Sequence, residues 1–450
     1  MLEKASLQIL SEALEKLDAG FAALPANEMQ PPGAERIGAV LAETAERLHD
    51  NFPYFHPLYA GQMLKPPHPV ARLAYGLAQW INPNNHALDG GRASSAMEQE
   101  AVTEIAAMFG WSEHLGHLTG GGTMANLEAL WVAGRLEQGK TILASAQAHY
   151  THQRISSVLQ LPFETIPCDI RGRMDVDALQ KRLRRGDVGA VVATMGTTAT
   201  GSVDPLAEIL ELRAEHNFRL HADAAYGGYF GLTENLGPET RRSFDHITQA
   251  DSIVIDPHKH GLQPYGCGCV LFRDPVVGRL YRHDSPYTYF SSGELHLGEI
   301  SLECSRPGAA AVALWATQKL LPLNKAGEFA KGLEQCREAA MDLYQRIAAD
   351  TRFVAAFPPE LDIAVFAPRA ESVSASSRMS RSIFAAAARK NLHLAIAELP
   401  VAFFEANLGG VKVDQNSLTC LRSALMKPEH RQWLDRIWEL LSQATDECAH

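Results

Sequence analysis

Lys259 stands in Asp256-Pro257-His258-Lys259-His260-Gly261, directly after the apolar run Ser252–Ile255 and before the turn Pro264-Tyr265-Gly266. An amine at the end of a buried strand is partly stripped of hydration and can act as a nucleophile towards an aldehyde. Read alone, it could equally be a loop lysine whose stem lies along apolar surface. Four further groups bear on the choice. Gly120-Gly121-Gly122-Thr123 opens a helical stretch, where free backbone N–H groups suit a phosphate, and Thr123 sits at the expected N-cap. His149, Thr197-Thr198 and Asp223 each follow or end an apolar run. Taken singly, Asp223 could cap a turn, His149 could be a satisfied core histidine, and the threonines could simply pack. Taken together with Lys259 they answer four demands of one small molecule: a phosphate, a flat ring face, a protonated ring nitrogen and an aldehyde. Those four demands fit pyridoxal 5′-phosphate (PLP), in which a carboxylate beside the pyridine nitrogen keeps it protonated and makes the ring an electron sink.

These residues need elements that bring them to one place. Strands are expected over 141–144, 163–167, 189–195, 218–222, 252–255 and 266–274, with helices over 175–184 and 205–216 between them. That alternation predicts a mainly parallel sheet sandwiched by helices, with ligands held beyond the carboxyl ends of its strands. His149, Thr198, Asp223 and Lys259 all fall at or just past such ends. Before this part, helical spacing of Leu7, Leu10, Leu14, Leu17 and Phe21 predicts a helix ending near Gly20, and a second helix is expected over 33–49. A third helix is expected over 94–109. Helices are expected over 309–320 and 325–349, then a smaller α+β unit with strands 361–366, 392–397 and 418–425, helices 380–390 and 431–444, and a Ser-rich loop at 372–377. The expected organisation is an N-terminal helical extension (1–50), a large cofactor-binding α/β domain (51–320) and a small C-terminal α+β domain (321–450).

The chain has 450 residues, a net charge of -11 and no basic block, which argues against nucleic acid or an anionic membrane as partner. Seven scattered cysteines read as reduced thiols. Cys267 and Cys269 alternate onto one face, but no second Cys or His pair at ligand spacing accompanies them, so no metal is expected. The N-terminal segment has no apolar signal core and no window reaches bilayer length, so the expected location is cytoplasmic. A dinucleotide site is disfavoured, since the glycine run lacks the Gly-x-Gly-x-x-Gly spacing.

The order and spacing of Gly121-Gly122-Thr123-Met124-Ala125-Asn126, Ala148-His149, Ala193-Thr194-Met195-Gly196-Thr197-Thr198, His221-Ala222-Asp223-Ala224-Ala225-Tyr226-Gly227-Gly228 and Asp256-Pro257-His258-Lys259 resemble the group II PLP-dependent amino-acid decarboxylases. The likeness covers roughly residues 50–320, and the Asp-Pro-His-Lys form is similar to the bacterial and archaeal tyrosine/aspartate branch. The resemblance implies a fold-type-I, aspartate aminotransferase-like architecture and α-decarboxylation of an L-amino acid. It implies that Lys259 forms the internal aldimine, Asp223 pairs with the pyridine nitrogen and His149 stacks on the ring. It implies that Gly122 and Thr123 bind the phosphate, that Thr198 and Ala225 flank the ring, and that Asp256 and His258 complete the cofactor set. It also implies a homodimer with sites at the interface, which would give residues 1–50 a partner to cover. Tyr287 and Tyr289 are the candidates for returning a proton to the substrate carbon. Arg306 is expected to be structural, and Arg422 is a candidate partner for the substrate carboxylate or a member of a surface salt bridge. Aromatic residues at 52–59 and 281–290 favour an aromatic, tyrosine-like substrate. The alternatives are an acidic amino-acid decarboxylase, a carbon–carbon lyase, an aminotransferase, or a PLP-binding homologue without turnover.

Overall fold

The computed structural model describes residues 4–25, 33–282 and 297–448. Two helices lead, α1 (Lys4–Ala19) and α2 (Ala34–Leu48), followed by α3 (Pro69–Gln79) and α4 (Leu88–Met108). A seven-stranded sheet is then built from β1 (Leu115–Thr119), β2 (Thr141–Ser145), β3 (Phe163–Ile166), β4 (Val188–Thr194), β5 (Arg219–Asp223), β6 (Ser252–Ile255) and β7 (Gly268–Phe272). Between its strands lie α5 (Gly122–Leu136), α6 (Thr151–Val158), α7 (Val176–Leu183), α8 (Leu206–His216) and α9 (Pro238–His246). The strand order is β1-β7-β6-β5-β4-β2-β3, and β7 alone runs against its neighbours. The carboxyl ends of β1, β2, β4, β5 and β6 therefore share one edge of the sheet.

Both faces of this sheet are covered, which is why β2, β4 and β6 are largely apolar runs. Ile253 and Ile255 point to one side and belong to the core cluster that also holds Ile105 of α4 and Ile209 of α8. Val254, between them, points to the opposite side and meets Ala125 and Ala129 of α5. Val191 and Ala193 likewise face one way, and Ala190 and Val192 the other. Each such fully buried Val or Ile contributes roughly 1.5–3 kcal/mol, so the edge carrying the polar residues rests on a rigid base.

After α10 (Gly308–Leu320) and α11 (Glu328–Ala349), a four-stranded antiparallel sheet in the order β10-β11-β9-β8 is formed by β8 (Phe353–Ala355), β9 (Ile363–Pro368), β10 (Ala395–Pro400) and β11 (Ser417–Ala424). It packs against α11, α12 (Val373–Arg389) and α13 (His430–Cys448) through Leu343, Ile383, Ile437, Phe366 and Leu421. Polar contacts join the two sheets: Tyr226 donates to Asp362 at 2.6 Å, and Arg422 Nε donates to the Ala199 carbonyl at 3.1 Å.

Several expectations change. The Ser-rich segment 372–377 is not a loop: Ser372 caps α12 by accepting the Ala375 N–H at 3.2 Å, and Ser377 bonds back to the Val373 carbonyl. Serines compete with the backbone for hydrogen bonds, which makes them read as loop formers although they serve well at and near an N-cap. The helix expected from residue 94 begins at Leu88 and bends at Gly91 (φ -173°, ψ 63°), where the glycine pair interrupts the pattern without ending the element. The strands β1 and β8 were not expected; one contains Gly and His, and the other has only three residues. The Arg306 guanidinium is buried and ion-paired with Glu98 at 2.8 Å while donating to the Leu118 carbonyl. Glu98 also accepts from the Leu118 N–H and from Asn85. The pair thus ties α4, β1 and the turn at 82–86 together, and losing one partner of such a buried pair costs roughly 3–5 kcal/mol.

Candidate active site

A cavity of about 580 Å³ opens at the shared edge of the large sheet. It is lined by Gly122, Thr123, His149, Thr198, Asp223, Ala225, Asp256, His258 and Lys259, so nine positions separated by up to 137 residues meet in one place. Thr197 does not line it. It is fully buried, bonded to Thr200, and holds the turn that presents Thr198.

The sequence explains each placement locally. β6 ends at Ile255, and the Lys259 N–H closes a turn onto the Asp256 carbonyl at 2.9 Å, which brings the lysine back over the strand end. Its ammonium lies 2.9 Å from Asp256 Oδ2, and Asp256 is almost wholly buried. His258 gives its Nδ1 to the Cys267 carbonyl at 2.8 Å, which leaves Nε2 turned towards the site, 3.6 Å from Asp256. β7 can receive that contact because it runs antiparallel, so its amino end lies at the same edge.

At the end of β1 the chain passes into α5 through Gly121, which adopts φ +146°, a conformation that glycine accepts and L side chains rarely do. Gly121 occupies the N-cap and Gly122 begins the helix, which corrects the expected cap at Thr123. Thr123 lies in the first turn, where N–H groups have no partner within the helix. A Cβ at Gly122 would stand 2.6 Å from Asp256, so only glycine lets α5 begin this close to the lysine turn. Behind this turn, Asn126 Oδ1 accepts the His221 Nε2–H at 2.8 Å, and His221 Nδ1 accepts from the Ser252 hydroxyl at 2.9 Å. Burial pushes the His221 pKa down to about 3.

Asp223 is the last residue of β5. Burial alone would raise its pKa, but the hydrogen bond from His152 at 2.8 Å, the nearby His152 and His221 rings and the Lys259 ammonium outweigh that. The carboxyl group is held well below its ordinary range and stays ionised across the physiological window. For His149 burial lowers the pKa, opposed by Asp223 and assisted by Lys259, which favours a neutral ring suited to stacking. Arg422 is almost fully buried and donates to Gly61, Gln62 and Ala199, so it is not part of a surface salt bridge; its Nη2 has no partner among the described residues. Tyr287 and Tyr289 lie outside the described residues. Cys267 and Cys269 are buried free thiols, pushed up by burial. Among the described residues no helix is long and apolar enough to cross a membrane.

Sequence reasoning passed over Tyr226, Tyr265, Glu303 and His152. Tyr226, Tyr265 and Glu303 line the cavity; Glu303 accepts the Gly120 N–H at 3.0 Å, and the Tyr265 ring lies 5.0 Å from that of His258. His152 lies beneath the cavity. Its three-residue spacing from His149 is the one signal that could have found it.

The donor set fits PLP: unpaired N–H groups at a helix start for the phosphate, an ionised carboxylate for a ring nitrogen, a neutral imidazole for a ring face and a primary amine for the aldehyde. The fold is that of a fold-type-I PLP protein. The match to known proteins agrees: residues 49–368 match the pyridoxal-dependent decarboxylase conserved domain, and the chain belongs to that family. It is 28% identical over 389 residues to an L-tyrosine decarboxylase of Enterococcus faecium, covering 64% of each chain. It is 26% identical over 407 residues to an L-tyrosine decarboxylase of Levilactobacillus brevis, covering 67% of this chain and 65% of that one. The chain therefore spans just under two thirds of the length of these two relatives. A probable L-tyrosine/L-aspartate decarboxylase of Methanoculleus marisnigri is 30% identical over 278 residues, 61% of this chain and 73% of that one. In fold, the structure is similar to mouse CSAD (TM-score 0.80, 19% identity, covering 98% of this chain and 99% of that one) and to Oryza sativa TDC with PLP and tryptamine (TM-score 0.79, 18% identity, 98% and 96%).

Proposed function

We propose that this chain is a PLP-dependent carboxy-lyase that removes the α-carboxylate of an aromatic, tyrosine-like L-amino acid, releasing the amine and CO2. The observation that carries this reading is the meeting of Lys259, Asp223, His149 and the Gly122–Thr123 turn in one cavity. When bound there, PLP supplies a protonated ring that accepts the electrons of the breaking Cα–carboxylate bond. In this reading Lys259 holds the aldehyde carbon, with Asp256 as the ammonium's counter-charge before attachment. Gly122, Thr123 and His258 bind the phosphate, Asp223 keeps the ring nitrogen protonated, and His149, Ala225 and Thr198 confine the ring. Arg422 is not one of the residues lining the cavity; its unpartnered Nη2, beside the Thr198–Ala199 turn, keeps it only as a candidate for the substrate carboxylate from behind that wall. Tyr287 or Tyr289 returns the proton.

The preference for an aromatic over an acidic side chain rests on the cavity wall. Among its described residues Lys259 is the only lysine or arginine, while Tyr226 and Tyr265 offer aromatic surface and Glu303 would repel a second carboxylate. The names of the bacterial relatives point the same way. Incubation of the purified protein and PLP with L-tyrosine, L-tryptophan, L-aspartate and L-glutamate, with amine and CO2 measured, tests this. Aromatic substrates are expected to exceed acidic ones by at least about tenfold in kcat/KM, as expected where a charged group lacks a partner. Keto-acid formation without CO2 would replace the proposal with an aminotransferase.

The proposal includes a cytoplasmic homodimer. Every residue of α2 is exposed in the single chain, and Ile37, Leu41 and Leu48 form an apolar stripe at helical spacing, with Val40 beside it. A helix that buries nothing gains little stability in water, so a second copy is its proposed cover. Sedimentation of the wild type is expected to give about twice the chain mass, 49.2 kDa. Ile37→Glu with Leu41→Glu is expected to shift it towards monomer; an unchanged mass would place the contact elsewhere.

A further inference from the structure

The turn that carries His149 carries a second histidine with a different task. The turn that leads into α6 brings the two together: His149 stands just before the Tyr150 N-cap, His152 lies in the first turn of the helix, and the His152 N–H bonds to the His149 carbonyl at 3.1 Å. Residues at this spacing lie on one side of a helical turn. His149 lines the cavity, whereas His152 lies beneath it with no solvent exposure. Its Nε2 is 2.8 Å from Asp223 Oδ2. Its Nδ1 is buried and has no partner among the described residues.

That arrangement decides the tautomer. An ionised carboxylate only accepts hydrogen bonds, and a buried N–H without an acceptor is costly. The proton therefore sits on Nε2 and is donated to Asp223. The other carboxylate oxygen, Oδ1, receives the Ala225 N–H at 3.2 Å. Two donors on two oxygens fix the rotation of the carboxylate, and the remaining lone pairs are free for a group in the cavity. Without the His152 N–H, a carboxyl this deeply buried is pushed towards its protonated form, which would donate rather than accept. The other polar groups around this pair are His221 on β5, whose ring lies 6.3 Å from that of His152, His149 on the same turn, and Lys259 and Asp256 beyond the end of β6. Burial favours the neutral form of both His221 and His149, and the Lys259 ammonium is paired with Asp256. His152 is thus the direct hydrogen-bond donor to Asp223 from a side chain.

We propose that His152 is a positioning residue for PLP: by donating Nε2–H to Asp223 it holds that carboxylate oriented and ready to keep the pyridine nitrogen protonated. The inference rests on the cofactor reading given above. It makes the turn that opens α6 responsible for both the ring face, through His149, and the ring nitrogen, through His152 and Asp223.

Two substitutions differ only in reach. In His152→Gln the side-chain amide can place an N–H where Nε2 stands; in His152→Asn the same amide stops short. Each variant is reconstituted with PLP labelled with ¹⁵N in the ring, and three quantities are measured: the ring ¹⁵N chemical shift, PLP affinity and the visible absorption of the holoenzyme. The wild type and His152→Gln are expected to show a protonated ring nitrogen and PLP affinity within a few-fold of each other. His152→Asn is expected to show a shift towards the unprotonated nitrogen and roughly 10- to 100-fold weaker PLP binding, the range for a hydrogen bond to a charged group. Equal behaviour of the Asn and Gln variants, or a protonated nitrogen retained in His152→Asn, would overturn the proposal and leave His152 a packing residue. Wild-type protein that binds no PLP would overturn the cofactor reading itself, and this inference with it.

Discussion

Lys259→Ala is expected to lower decarboxylation by at least about 10³-fold, because it removes the nucleophile through which the cofactor is attached. The visible absorption of the attached cofactor should disappear with it, although phosphate and ring contacts would still allow PLP to associate. The alanine variant also leaves Asp256, 97% buried, without its ammonium partner at 2.9 Å. Some loss of stability is therefore expected alongside the chemical loss. Lys259→Arg separates the two. It keeps a positive charge near Asp256, and so should recover much of the stability, but guanidinium is not a nucleophile at neutral pH. Activity in Lys259→Arg should be as low as in Lys259→Ala. Lys259→Ala activity within tenfold of the wild type would remove this lysine from the chemistry, and the proposed function would fail at its centre.

Asp223→Asn is expected to lower kcat by about 10²–10³-fold while leaving the fold intact, the size found when a preorganised partner of developing charge is removed. The substitution is nearly isosteric but changes two contacts together. The amide carries no charge to hold the ring nitrogen protonated. If its nitrogen replaces Oδ2, it meets the Nε2–H of His152, donor against donor; if it is turned over, it meets the Ala225 N–H instead. Either way one buried group loses its partner, a cost of about 1–3 kcal/mol. The measurement is kcat together with the thermal midpoint and PLP content. A variant that retains PLP and half of the wild-type kcat would show that ring protonation does not depend on Asp223.

A linear reading places Lys259 and Asp223 at or just past the ends of expected strands, and only taking the two with His149, Thr198 and the glycine run lifts them above a loop lysine and a turn cap. The parallel sheet was legible because both of its faces are buried, which makes β2, β4 and β6 largely apolar segments with helices between them. The small sheet and the β1 edge of the large one were less so. β8 has three residues, β1 contains glycine and histidine, and α12 begins in serines that act as caps and back-bonding side chains. Short or polar elements are made stable by the surface they join, and that surface is distant in sequence.

The sequence by itself determined the chemistry available to this protein: an amine, an ionisable carboxyl, an imidazole and a glycine-opened helix, each at the end of an element whose apolar pattern places it at the sheet edge. Family membership follows from the spacing of those same residues. Tertiary structure alone decided how they are tuned. Asp256 becomes the counter-charge of Lys259 because the turn folds back over β6, and His258 faces the site because antiparallel β7 brings the Cys267 carbonyl to its Nδ1. Asp223 stays ionised because His152, 71 residues earlier in the chain, donates to it from beneath. Partner identity of this kind depends on the packing of α6 against the sheet, and the free energy of a buried hydrogen bond is set by which atoms are left without one.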